Sequence, residues 1–173
     1  MDRQRLSLHD GFTLTEFMIV LFLVTLLTLI TIPSLLELLA RHQAESYMHQ
    51  LRQTLNMARI KAVSEGQVLS ICPRQGNQCQ NNWTEVPIEI FSGDISNMNS
   101  GGSSKVWRVI QSPPKNHQLR YSRTLLQFRQ DGSLNSLQNG TFQYCPKDYD
   151  WHLTLSFSQA GRSQTSIENT PCA

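Results

Sequence analysis

Apolar and polar positions divide the chain into three stretches. From Phe17 to Leu36 twenty residues pass without a charge, including seven Leu, three Ile, two Phe and two Val. A helix of that length spans about 30 Å, the hydrocarbon thickness of a bilayer. Beyond Leu39 the apolar positions thin to Met48, Leu51, Leu55, Ala58 and Ala62, the three-four spacing of one helix face. The pattern predicts one helix from about Phe12 to Glu65, roughly 80 Å long at 1.5 Å per residue, with Gly66 as its stop. From Gln67 the pattern shortens to strand-length runs: 68–72, 86–91, 106–110, 125–130, 140–145 and an alternating 151–157. Asp131-Gly132, Asn139-Gly140 and Ala160-Gly161 supply hairpin signals, and the Ser-, Gly- and Asn-rich Ser92–Lys105 reads as a loop. The expectation is α+β: one long helix, its first half transmembrane, packed on a meandering antiparallel sheet.

Length and charge narrow the class. The 173 residues suit one soluble domain, and a net charge of +2 argues against a strongly basic nucleic-acid coat. The apolar residues, 39% of the chain, are concentrated at one end, so a single span is expected rather than several. Arg3 and Arg5 precede that span, which by the positive-inside rule leaves the N-terminus cytoplasmic and carries the C-terminal part across the membrane. The four Cys form no Cys-x-x-Cys pair, which excludes a zinc ribbon or thioredoxin-like motif and favours disulfides in an oxidising compartment. Cys72–Cys79 with Cys145–Cys172 is the preferred pairing among three connectivities, the second bridge worth roughly 3 to 4 kcal/mol for its loop length.

Chemistry is sparse. His42 and His49 lie two turns apart among Gln and Arg and read as solvated, so no metal is expected. No nucleophile elbow or phosphate-binding glycine loop is present, so neither an enzyme nor a cofactor is expected. Asn82-Trp83-Thr84 and Asn139-Gly140-Thr141 match the glycosylation sequon but read as turn chemistry. Thr25, Thr28 and Thr31 recur every three residues, as a helix–helix contact or as hydroxyls bonded to their own backbone.

The block Gly11-Phe12-Thr13-Leu14-Thr15-Glu16, behind a short basic leader, resembles the leader-peptidase site of type IV prepilins and pseudopilins. The resemblance implies cleavage between Gly11 and Phe12 by a prepilin peptidase, N-methylation of Phe12, and a mature chain with Glu16 at its fifth position. A carboxylate at the edge of an apolar helix is costly unless neutral or paired. The resemblance supplies a partner, the Phe12 amine of a neighbouring subunit, setting the register of one helix on the next. The bland reading makes Glu16 a first-turn acid favoured by the helix dipole. Pro33, expected to kink the helix, matches a proline of pilins at the corresponding place. The implied organisation is a leader at 1–11, a transmembrane and polymerisation segment at 12–39, and a periplasmic pilin-like domain at 40–173.

Val68–Pro73, Cys79 and Trp83, with the C-terminal Gly161-Arg162-Ser163-Gln164, resemble the GspH/FimT family of minor pilins and pseudopilins. The resemblance implies a minor pilin of a type IV pilus in assembly or priming, an H-type pseudopilin of type II secretion, or a DNA-binding receptor pilin for transformation. The implied partners are other pilins or pseudopilins, the inner membrane before assembly, and double-stranded DNA bound without sequence preference. DNA-binding members carry Gly-Arg-x-Arg near the C-terminus; here Gln164 stands where the second Arg would be. Lys105, Arg108, Lys115, Arg120, Arg123 and Arg129 fall in a stretch without Asp or Glu, and with Arg162 and Gln164 they complete the candidate phosphate contacts.

Overall fold

The computed structural model of the chain describes residues 13–76, 78–93 and 105–172. Met1–Leu39 and Ala40–Ala173 form two compact units. Helix α1, Leu14–Glu65, contributes to both. It opens on a capping residue, since the Glu16 amide donates to Thr13 Oγ1 at 3.3 Å. Thr13 and Glu16 thus stand in the Thr-x-x-Glu spacing of a capping box. It closes at Gly66 (φ 61°), where the amides of Gly66 and Gln67 donate to the carbonyls of Val63 and Ala62 at 3.4 and 3.1 Å. This six-to-one and five-to-two pair is the Schellman arrangement that a left-handed glycine permits.

Within the first unit every large apolar side chain from Leu14 to Leu39 is at least 44% exposed. The helix runs through Pro33. Thr25, Thr28 and Thr31 donate their hydroxyls to the carbonyls of Phe22, Thr25 and Leu27 at 2.7–2.9 Å, which keeps the polar groups on the helix itself.

In the second unit the helix buries one face: Ala40, Ala44, Met48, Leu51, Thr54, Leu55, Ala58 and Ala62. The strands are β1 Leu69–Gln75, β2 Gln78–Cys79, β3 Ile88–Ser92, β4 Val106–Ile110, β5 His117–Tyr121, β6 Leu126–Phe128, β7 Gly140–Pro146, β8 His152–Phe157 and β9 Ser163–Glu168. All described pairings are antiparallel, but they build two sheets where the sequence predicted one meander. In the first, β1 pairs with β3 on one side and with β6 and β2 on the other, while β4 pairs outside β3. The second runs β5-β7-β8-β9. The split arises because β5 pairs with β7, whereas β6, only five residues later, returns to β1 (Leu69↔Phe128, Ile71↔Leu126). Such long-range pairings have no local sequence signal.

Other expectations are corrected in detail. Asn139-Gly140 forms no two-residue hairpin, and Gly140 opens β7; the Asp131-Gly132 signal does mark a tight turn, Arg129–Ser133, where Gly132 (φ 76°) donates its amide to the Arg129 carbonyl at 2.9 Å. Strand β8 does not alternate: His152 to Leu155 are all buried, and the two polar side chains among them find partners, His152 Nδ1 at the Thr170 carbonyl (2.8 Å) and Thr154 Oγ1 at Ser166 Oγ on β9 (2.6 Å). Strands β5 and β9 were not predicted. In β5, His117, Leu119 and Tyr121 point inward in a legible period of two, whereas β9 is a polar edge strand with no buried residue. Ser92 ends β3, and 94–104 of the expected loop lie outside the described residues.

The core sits between the helix face and the two sheets. Trp83 is fully buried and meets Tyr121 and Phe142 edge-on, each with centroids 5.2 Å apart, while Tyr121 and Phe142 stack at 4.1 Å. The indole donates to the Arg123 carbonyl at 2.9 Å, so the ring carries no unpaired N–H into the core. The second half of the first sequon is structural: Thr84 Oγ1 donates to the Leu119 carbonyl and accepts from the Leu119 amide, at 2.9 and 3.1 Å. Phe142→Ala is expected to cost about 3–5 kcal/mol and Val109→Ala, on the exposed edge strand β4, under about 0.5 kcal/mol, as read by urea denaturation.

Candidate functional site

Two regions carry the candidate residues. On α1, Glu16 is exposed at the third position of the first turn, where an acid also complements the helix dipole, and Pro33 lies among exposed apolar side chains. Gly11 and Phe12 lie outside the described residues, as do Arg3 and Arg5.

The disulfides anchor the second unit. Cys72 and Cys79 are joined across the β1–β2 hairpin with Cα atoms 5.6 Å apart. Cys145 in β7 and Cys172 are joined with Cα atoms 6.0 Å apart, closing a separation of 27 residues that includes β8 and β9.

The eight candidate phosphate contacts do not form one patch. Lys105 precedes β4 and Arg108 lies within it, on the edge of the first sheet, where the Arg108 guanidinium covers Trp107 at 5.2 Å. Arg120 faces outward from β5 and donates to Gln118 Oε1 at 3.0 Å, while Gln164 lies on β9 at the opposite edge of the same sheet. Lys115 precedes β5 and Arg123 follows it, so the strand separates them. What the fold brings together are the turns that carry Arg129 and Arg162: the Arg129–Ser133 turn and the Ser158–Arg162 turn touch at Gly132 and Gly161. A Cβ placed on Gly161 would collide with the Gly132 carbonyl oxygen.

The Ser158–Arg162 turn joins β8 to β9. The Gly161 amide donates to the Ser158 carbonyl at 2.8 Å, and the Ser158 amide to the Arg162 carbonyl at 2.9 Å. Gly161 is left-handed at φ 72°. The Arg162 side chain is exposed, and among the described residues no carboxylate pairs with it. Ser156, Ser158, Ser163 and Gln164 line a groove of about 580 Å³ beside it. A guanidinium flanked by hydroxyls and an amide suits the oxygens of a phosphate. Arg129 is less well placed. Ser133 donates its hydroxyl and amide to Asp131 Oδ1 at 2.6 and 2.9 Å, which holds that carboxyl below its ordinary pKa and keeps a negative charge beside Arg129.

The sequence reading missed Arg52, Asn56 and Arg59, the helix residues that grip these turns, and the cap at Thr13. Each left a signal: polar residues at i, i+4 and i+7 beside an apolar face, and Thr-x-x-Glu at 13–16. Among the described residues no cluster of His, Cys, Asp and Glu could hold a metal ion.

A long N-terminal helix, apolar throughout its first half and packed through one face of its second half on antiparallel sheets, defines the class of minor pilins and pseudopilins, filament subunits rather than enzymes. The family model described as Type II transport protein GspH matches residues 48–161, more than half of the chain, and the chain belongs to that family. The structure is similar to the type IV minor pilin FimU of Pseudomonas aeruginosa strain PAO1 in two crystal forms. One match has 25% identity and a TM-score of 0.58, covering 73% of this chain and 90% of that one. The other has 25% identity and a TM-score of 0.54, covering 70% and 91%. Among curated proteins none matches this chain.

Gly161→Ala combines a left-handed backbone with a collision, whereas a Cβ on Gly76 (φ 65°) meets open space. Gly76→Ala is expected to cost about 1 kcal/mol and Gly161→Ala about 2–3 kcal/mol, compared by thermal melting of the two variants.

Proposed function

We propose that the chain is a minor pilin of a type IV pilus, a structural subunit that takes part in assembling or priming the filament. The carrying observation is the likeness to FimU over nine-tenths of that chain. The function rests on packing. The apolar first half of α1 holds the subunit in the inner membrane, N-terminus cytoplasmic and the domain at 40–173 periplasmic, where its disulfides are stable. A prepilin peptidase removes 1–11 after Gly11, and the Phe12 amine of one subunit pairs with Glu16 of the next, which removes the cost of a lone carboxylate against an apolar helix. The surface of the first half, exposed here, is then covered by lipid before assembly and by neighbouring pilin helices afterwards.

Two further readings each have an observation behind them. The family description favours an H-type pseudopilin of type II secretion. The exposed Arg162 at a glycine turn favours contact with double-stranded DNA, as in a receptor pilin for transformation.

Deleting the gene separates the first two: loss of surface pili with secretion intact supports the minor pilin, and loss of secretion with pili intact supports the pseudopilin. Glu16→Leu is expected to leave the subunit in the membrane fraction and exclude it from sheared filaments; incorporation at the wild-type level would refute the pairing role. Arg162→Ala is expected to lower DNA uptake several-fold with pili still visible. Unchanged uptake would end the receptor reading for this turn.

A further inference from the structure

Three side chains on one edge of α1 reach the residues around Arg162. Arg52 donates through Nε to Ser163 Oγ at 3.2 Å and through Nη2 to the Ser163 carbonyl at 3.5 Å. Ser163 Oγ in turn donates to Asn56 Oδ1 at 3.4 Å. One turn further on, the Arg59 guanidinium divides between two loops: Nε donates to the Gly132 carbonyl at 2.8 Å and Nη2 to the Ala160 carbonyl at 3.1 Å. The Arg162 side chain is exposed and, with Asn56, Arg59 and Val63 of the helix, lines a groove of about 670 Å³, while its neighbours Ala160 and Ser163 are held by hydrogen bonds from the helix.

The two glycines fit around Arg59. A Cβ on Gly132 would lie 2.9 Å from Val63 Cγ2 and 3.2 Å from Arg59 Nε, and one on Gly161 would lie 2.8 Å from Arg59 Nε. Both turns therefore come as close to the guanidinium as a bare backbone allows. The carbonyls of Gly132 and Ala160 belong to separate turns, and a planar fork with donors on different nitrogens can serve both at once. An ammonium on a flexible stem is a point donor and lacks that fixed geometry. Arg59 is half-buried, and two of its nitrogens are committed to carbonyls, so its geometry suits holding better than touching a ligand.

We propose that Arg59 is the positioning residue for Arg162: it pins the Ser158–Arg162 turn to the helix and to the Arg129–Ser133 turn, so that the backbone carrying Arg162 is already ordered when it meets a phosphate. This rests on the reading of Arg162 as a DNA contact. The physical gain is preorganisation of the turn, since ordering a mobile loop on binding subtracts from affinity.

The test uses the full-length protein in detergent micelles and a fluorescein-labelled duplex, with anisotropy at 50 and 200 mM salt and hydrogen exchange of the peptide covering 158–163. Arg59→Ala is expected to weaken duplex binding about three- to tenfold and to speed exchange at 158–163 while the 48–58 helix peptide keeps its protection. Arg59→Lys, which keeps the charge, is expected to recover only part of both and serves if the alanine variant fails to fold. The double variant Arg59→Ala/Arg162→Ala should bind no more weakly than Arg162→Ala alone. Losses that multiply would make Arg59 an independent contact and overturn the proposal. Unchanged exchange at 158–163 would overturn it as well, whatever the affinity. A harmful Arg162→Ala beside a harmless Arg59→Ala removes the positioning role alone, whereas an Arg162→Ala without effect removes the DNA-contact reading beneath it.

Discussion

The burial of one face of α1 between Ala40 and Ala62 is the interaction on which the rest of the second unit depends. Four of its positions are alanine, small enough to let a sheet backbone approach, and Met48, Leu51 and Leu55 fill the space between. Nearly every large core side chain joins the same buried cluster, including Trp83, Phe128, Tyr144, Leu155 and Phe157. Buried side chains of both sheets meet the helix in this one cluster, so without the helix they would expose apolar surface. The hydrophobic term is proportional to the area removed from water, and this face is where two sheets and a helix share it.

The same helix organises the polar side of the molecule. Arg52, Asn56 and Arg59 stand beside the buried face and reach the carbonyls and hydroxyl of turns that come from distant parts of the chain. Backbone carbonyls at tight turns lack partners within their own strands, and a guanidinium from the helix supplies them. The position of Arg162 is thus a consequence of helix packing, and the candidate phosphate contact is joined mechanically to the core. Gly132 and Gly161 belong to this arrangement because each lets a turn approach Arg59 closely.

The first unit follows a different rule. Its backbone groups are paired within the helix, its threonine hydroxyls are bonded to preceding carbonyls, and its apolar side chains are exposed. A helix that satisfies its own polar groups and shows hydrocarbon all round suits lipid, or the company of similar helices, in both of which the cost of exposure vanishes.

By itself the sequence determined what is local or periodic: the uncharged stretch from Phe17 to Leu36, the apolar face from Met48 to Ala62, the stop at Gly66 and the turns at Gly132 and Gly161. It also carried the preferred disulfide pairing and the family resemblance. The turns, the helix stop and the apolar stretches depend on residues within a few positions of one another or on a periodicity that any window of the chain displays, whereas the pairing and the resemblance rest on the number and order of a few residues along the chain. Only the tertiary structure decided that the strands form two sheets, that β9 closes an edge although none of its residues is buried and only Ile167 is apolar, and that the basic residues scatter over different edges and ends. It alone brought Arg59 between the turns at Gly132 and Ala160. Those features depend on which distant backbones pair and which turns meet, a matter settled by the shared burial of the helix face and invisible to patterns along the chain.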